Sequence, residues 1–98
     1  MGFFDFLKLK KKQGLYAGGN GESIDTAVII NTANSMIGIS AEYKFITSRY
    51  GQKDVDWTRE LQSIMRSGNR QYDVVVIKLK DGQEKSFYFD ITKFYGKF

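Results

Sequence analysis

Asp73 and Asp90 are the residues best placed for acid–base chemistry in this chain. They fall near the same end of an expected β-hairpin. A close carboxyl pair drives one pKa upward and can serve as general acid and base. The simpler reading is two strand-end aspartates hydrogen-bonded to turn backbone or paired with Arg70 and Lys93. A second acidic grouping, Asp54 and Asp56 with Glu60, offers oxygens to a hard cation such as Mg²⁺ or Ca²⁺. Its spacing fits no calcium-loop motif, so a polar strand entry beside a turn is the better account.

Other chemistries are excluded by composition. The 98 residues contain no histidine and no cysteine. That removes Ser-His-Asp and Cys-His triads, thiolate metal sites and disulfide scaffolds. The glycine-rich GLYAGGNG resembles a phosphate loop only in the gap from Gly14 to Gly19, because Asn20 stands where a Walker motif needs lysine. No catalytic, cofactor or metal residue is therefore assigned, and an enzyme built on Asp73 and Asp90 is the remote alternative.

Binding chemistry is better represented. Trp57, Tyr72, Phe87, Tyr88, Phe89, Phe94 and Tyr95 interleave with Lys78, Lys80, Lys85 and Lys93, as in single-strand nucleic-acid platforms. Asp73, Asp81, Glu84 and Asp90 share the same segment, so core packing explains the aromatics better. Of the net charge of +4, residues 1–20 supply +3: Lys8, Lys10, Lys11 and Lys12 against Asp5. The rest is nearly neutral, which argues against nucleic acid as a partner.

The charged opening, MGFFDFLKLKKK, puts Phe3, Phe4, Phe6 and Leu7 beside those four lysines. It matches neither a secretory signal, whose charge precedes its apolar run, nor a myristoylation signal, which needs Ser or Thr where Phe6 stands. It suits an anionic membrane surface, where each lysine adds roughly 1 kcal/mol. It suits better folding back over an apolar face of this molecule or of a second copy, while a disordered terminus, the third reading, leaves three phenylalanines in water. With no export signal and no cysteine, the expected compartment is the cytoplasm.

The elements that must position these residues follow from pattern. Residues 1–12 form the aromatic-basic arm, 13–22 a Gly-rich linker, and 23–98 one domain. AVIINTA reads as a first strand. Met36, Ile39, Tyr43, Ile46 and Tyr50 recur at three- and four-residue spacing, an amphipathic helix capped by Asn34, Ser35 or Ser40 and stopped by Gly51. Glu42 falls on another face of that wheel. Residues 57–66 alternate in a manner compatible with strand or helix. The strand is preferred because Ser67, Gly68 and Asn69 signal a turn into a plainly β segment.

Asp81-Gly82 then closes a hairpin. A two-residue turn sets Lys78 against Lys85 and Asp73 against Asp90. A three-residue loop with left-handed Gly82 sets Lys78 against Glu84 and Val75 against Phe87. Opposed like charges are unfavourable, so the second register is expected. It gathers Val75, Ile77, Leu79, Phe87 and Phe89 on one face and leaves Val74, Val76 and Tyr88 on the other. A short helix or turn carrying Phe94 and Tyr95 ends the chain.

The expected fold is α+β: one amphipathic helix packed on a small antiparallel sheet, in the order strand, helix, three-stranded meander. The expected function is a small non-enzymatic protein-binding or regulatory module. Its contact surface is Val74, Val76, Tyr88, Phe94 and Tyr95, facing a protein partner or a second copy. Docking to a membrane through the arm is the alternative.

Overall fold

The computed structural model describes residues 14–97. Its elements run β1 (Tyr16–Gly18), β2 (Val28–Ile30), α1 (Ser35–Tyr50), β3 (Trp57–Ser67), β4 (Arg70–Leu79) and β5 (Glu84–Asp90). The strands form one sheet in the order β1-β2-β5-β4-β3, an α+β fold with α1 against one face. The meander of β3, β4 and β5 follows the helix as the sequence predicts. The sheet as a whole is mixed, because β2 lies parallel to β5 while every other neighbour is antiparallel.

The β4–β5 register is the one that charge selects. Lys78 stands opposite Glu84, Val75 opposite Phe87, and Gly82 takes φ 91°. The inner face of the sheet then supplies Val28, Ile30, Val75, Ile77, Phe87 and Phe89 to the core, which α1 covers with Ala41 and Ile46. Phe45 stands edge-on to Phe87 and Phe89, with ring centroids 6.1 and 5.8 Å apart. Each such pair adds roughly 0.5–1.5 kcal/mol beyond its buried area.

Both ends of α1 are fixed locally. The side chain of Asn34 accepts a hydrogen bond from the Ile37 amide at 2.9 Å, an N-cap worth about 1 kcal/mol. At the far end Gly51 takes φ 97° and donates to the Thr47 carbonyl at 2.9 Å. The Gly51 carbonyl accepts from Trp57 Nε1 at 2.7 Å, which ties the helix end to the start of β3.

Two expectations need correction. The stretch 13–22 is not wholly a linker, since it contains β1, paired antiparallel with β2. Glycine hides this strand in the sequence. A Cβ on Gly18 would lie 2.6 Å from the Ala27 carbonyl oxygen, so the close pairing itself requires the residue that weakens a strand pattern. The helix is also rotated relative to its large apolar stripe. Met36 is 80% exposed and Ile39 46%, while Gly38, Ala41, Glu42 and Ile46 are buried. Gly38 explains the rotation: a Cβ there would lie 2.5 Å from Cδ2 of Phe94, so only glycine lets this turn of α1 meet that ring.

Candidate functional site

Strand pairing separates the two aspartates that sequence brings together. Asp73 lies opposite Phe89, and Asp90 lies opposite Tyr72. Successive strand residues point to opposite faces, so Asp73 faces α1 and Asp90 faces away from it. Asp90 is held by Arg70, whose Nε and Nη2 donate to Oδ2 at 2.8 and 2.7 Å. Its Oδ1 accepts from the Thr92 amide at 3.0 Å and the Thr92 hydroxyl at 2.6 Å. Asp90 is thus a structural anchor for the turn that follows β5, and an Asp73–Asp90 dyad does not form.

Asp73 has a different acidic neighbour. It meets Glu42, carried on the buried face of α1 one turn beyond Gly38. Glu42 is 1% exposed and Asp73 3%. Neither oxygen of Glu42 and not Oδ1 of Asp73 has a hydrogen-bond partner among the described residues. Oδ2 of Asp73 accepts from Gln62 Nε2 at 2.8 Å. Gln62 Oε1 in turn accepts from Arg59 Nη1 at 2.7 Å, and Arg59 also reaches the Tyr43 hydroxyl at 2.9 Å. One guanidinium therefore approaches the carboxyl pair only through an intervening amide.

Two facing carboxylates can only accept, so they cannot satisfy each other until one gains a proton. Burial, the hydrogen bond that a protonated Glu42 donates to Asp73, and the charge of Asp73 push the Glu42 carboxyl up to about 10. Strongly perturbed groups in clefts are candidates for function. A cleft of about 230 Å³ opens over this pair. Ile39, Ile64, Ile91, Phe94 and Tyr95 form its apolar part, and Ser35, Glu42, Gln62 and Asp73 form its polar part.

The outer face of the sheet is a second candidate surface. Val74 pairs with Tyr88, Leu61 with Val76, and Met65 with Tyr72, which places these six side chains together away from α1. Leu61 is 58% exposed, and no second layer stacks on this face among the described residues. Beside it lies β3, an outer strand of the sheet. Apart from Trp57 its side chains are exposed, and a bulge at Glu60 shifts its register against β4.

The expected contact residues therefore divide. Val74, Val76 and Tyr88 do share the outer face, but neighbouring side chains bury Val74 to 8% exposed and leave Val76 and Tyr88 half-buried. Phe94 does not join them: it is buried against Gly38 of α1, and with Tyr95 it lines the cleft on the helix side. Turn geometry takes these two residues round the sheet end, which spacing along the chain cannot reveal. The arm residues Phe3, Phe4, Phe6, Leu7, Lys8, Lys10, Lys11 and Lys12 lie outside the described residues.

The Asp54, Asp56 and Glu60 grouping is dispersed among lysines. Lys53 pairs with Asp54 at 3.1 Å, Lys78 with Glu60 at 3.7 Å, and Lys80 approaches Asp56 at 4.0 Å. Trp57, Phe87, Phe89 and Phe94 are core residues rather than an exposed stacking platform. Among the described residues, no helix is long and apolar enough to cross a membrane. No family model, curated protein or solved structure matches the chain.

Sequence reasoning missed Glu42, Gln62 and the edge character of β3. A signal for Glu42 was present. Gly38 and Ala41 are the small apolar residues of the helix, and such residues mark where a helix can approach a sheet closely.

Proposed function

We propose that this chain is a non-enzymatic protein-binding module that acts as a dimer of two copies through the edge of β3. The observation that carries this reading is the run Leu61–Met65. It is a long exposed edge with no charge at its centre. Natural sheets guard such edges with lysine, proline, bulges or inward charges; here the bulge at Glu60 and the charges of Arg59, Glu60 and Arg66 flank the run but leave its five central residues as a template for another strand.

An antiparallel pairing centred on Ser63 sets Leu61 against Met65 of the second copy, twice, on the outer face. It also sets Gln62 against Ile64. The outer faces of the two copies then continue into one apolar surface that includes Leu61, Met65, Val76 and Tyr88. A face of that kind suits a further protein partner. The lack of cysteine suits a reducing compartment, and we place the module in the cytoplasm.

The test exploits the self-paired position. Ser63→Lys and Ser63→Glu are measured by analytical ultracentrifugation, separately and mixed. Each alone opposes two like charges across the axis and yields monomer, while the mixture restores a dimer. A wild-type monomer at about 100 μM, or variants that dimerise as wild type, overturns the reading.

A further inference from the structure

The carboxyl pair beneath the cleft is not used by the dimer edge, and it is one cation short. Three buried oxygens, both of Glu42 and Oδ1 of Asp73, have no donor among the described residues other than the proton that Glu42 itself can carry to Asp73. The positive charge of Arg59 reaches them only through Gln62. The groups able to carry charge around Glu42 are Asp73 on β4, Arg59 behind Gln62 on β3, and the hydroxyls of Tyr43 on α1 and Tyr95 on the closing turn. None of these donates to Glu42. Immediately beside the pair the walls turn apolar, with Ile39, Ile64, Ile91 and Phe94.

We propose that this cleft binds a primary ammonium carried on a short apolar chain, with the head between Glu42 and Asp73 and the chain against the isoleucines. The chemistry fits each part of the site. An ammonium has three donors and no acceptor, which matches three oxygens that can only accept. A buried charge must be paired, and a single cation relieves the repulsion between two carboxylates. At about 230 Å³ the cleft is smaller than the roughly 300–1,000 Å³ of drug-sized pockets, so it takes a small head-and-tail molecule.

An unliganded site holds a proton instead, so binding and deprotonation compete. The ammonium displaces that proton. While Glu42 is protonated in the free protein and the amine stays charged, affinity rises about tenfold per pH unit. A lysine side chain presented by a partner offers the same head and chain as a free alkylamine, so the probes must separate the two sources.

Isoleucine methyl NMR spectra of the full chain are recorded between pH 6 and 9. The chain is titrated with n-butylammonium, with Nα-acetyl-lysine methylamide and with n-butanol. Saturable shifts at Ile39, Ile64 and Ile91 are expected with one or both amines, tightening about tenfold per pH unit and absent with butanol. Shifts from butylammonium alone identify a free amine as ligand, and shifts from the lysine derivative identify a peptide side chain. Glu42→Gln and Asp73→Asn, each checked for a native spectrum, are expected to lose at least tenfold in affinity. Equal binding of butanol, unchanged affinity in both variants, or no saturable shift at 20 mM amine overturns the proposal.

Discussion

Glu42 of α1 and Asp73 of β4 face each other at the polar end of the cleft, with no donor between them except a proton on Glu42. Both are almost wholly buried in a domain that could have placed apolar residues at either position. Burying two carboxylates together is costly, and the fold resolves the conflict by keeping a proton on Glu42. This single relationship makes the stability of the domain depend on pH in an unusual direction.

The Glu42 carboxyl sits near 10 in the fold and near 4.5 in the unfolded chain. Between those values the native state binds the extra proton. Stability from this group is therefore fully present below about pH 4.5 and falls as pH rises, by up to about 1.4 kcal/mol per unit. Three units at that limiting slope remove about 4 kcal/mol, a large share of the 5–15 kcal/mol that holds a domain together. Urea midpoints measured from pH 5 to 9 are expected to decline steadily. A flat or rising profile contradicts the buried protonated pair.

Replacing the acid by its amide should abolish that decline. Glu42→Gln keeps the shape, stays neutral at every pH, and its Nε2 can donate to Oδ1 of Asp73. The variant is expected to match wild type near pH 5, to exceed it by at least 1 kcal/mol at pH 8, and to show a flat profile. Glu42→Ala, by contrast, removes the proton shared with Oδ1 of Asp73, leaving Gln62 as its one side-chain donor, and opens a cavity. It should cost about 1–3 kcal/mol at pH 5. Equilibrium urea unfolding of the three proteins at both pH values distinguishes these outcomes.

The hairpin was legible in the sequence because two local signals agreed. Asp81-Gly82 named the turn, and Lys78 with Glu84 named the register. The helix boundaries were legible too, from Asn34 and Gly51. The buried face of the helix was not, because side-chain size misled. Met36 and Ile39 drew the stripe toward themselves, whereas the packing depended on what Gly38 and Ala41 lacked. Glu42 then looked like a solvent-facing charge. The parallel β2–β5 pairing joins segments far apart in the chain, and no local pattern encodes it.

Gly38 provides a test of that packing argument. In an exposed helix, glycine to alanine stabilises by about 1 kcal/mol. Here the new methyl would sit 2.5 Å from Cδ2 and 2.8 Å from Cζ of the Phe94 ring. Phe94 is itself buried, so it has little room to withdraw. Gly38→Ala is expected to destabilise by about 1–3 kcal/mol, overpacking outweighing propensity. Adding Phe94→Leu should recover part of that loss. The double-mutant cycle, read from thermal or urea unfolding, should therefore show a favourable coupling energy of at least 0.5 kcal/mol.

Asp90 anchors the turn that carries Phe94 and Tyr95, so its loss should reach the cleft from the other side of the sheet. Its two oxygens accept from Arg70 and from both donors of Thr92, and the Thr92 hydroxyl oxygen accepts from the Gln71 amide at 3.0 Å. Asp90→Ala removes this set at once and is expected to cost about 2–3 kcal/mol. Arg70 is about half exposed, and its ion pair is screened by solvent, so Arg70→Ala should cost only about 1 kcal/mol or less. The two variants separate charge pairing from backbone anchoring. If the turn depends on the Thr92 bonds, Asp90→Ala should shift the Ile91 methyl resonances and raise amide exchange over residues 91–96, while Arg70→Ala leaves both near wild type. Equal effects from the two substitutions would instead assign the anchor to the ion pair alone.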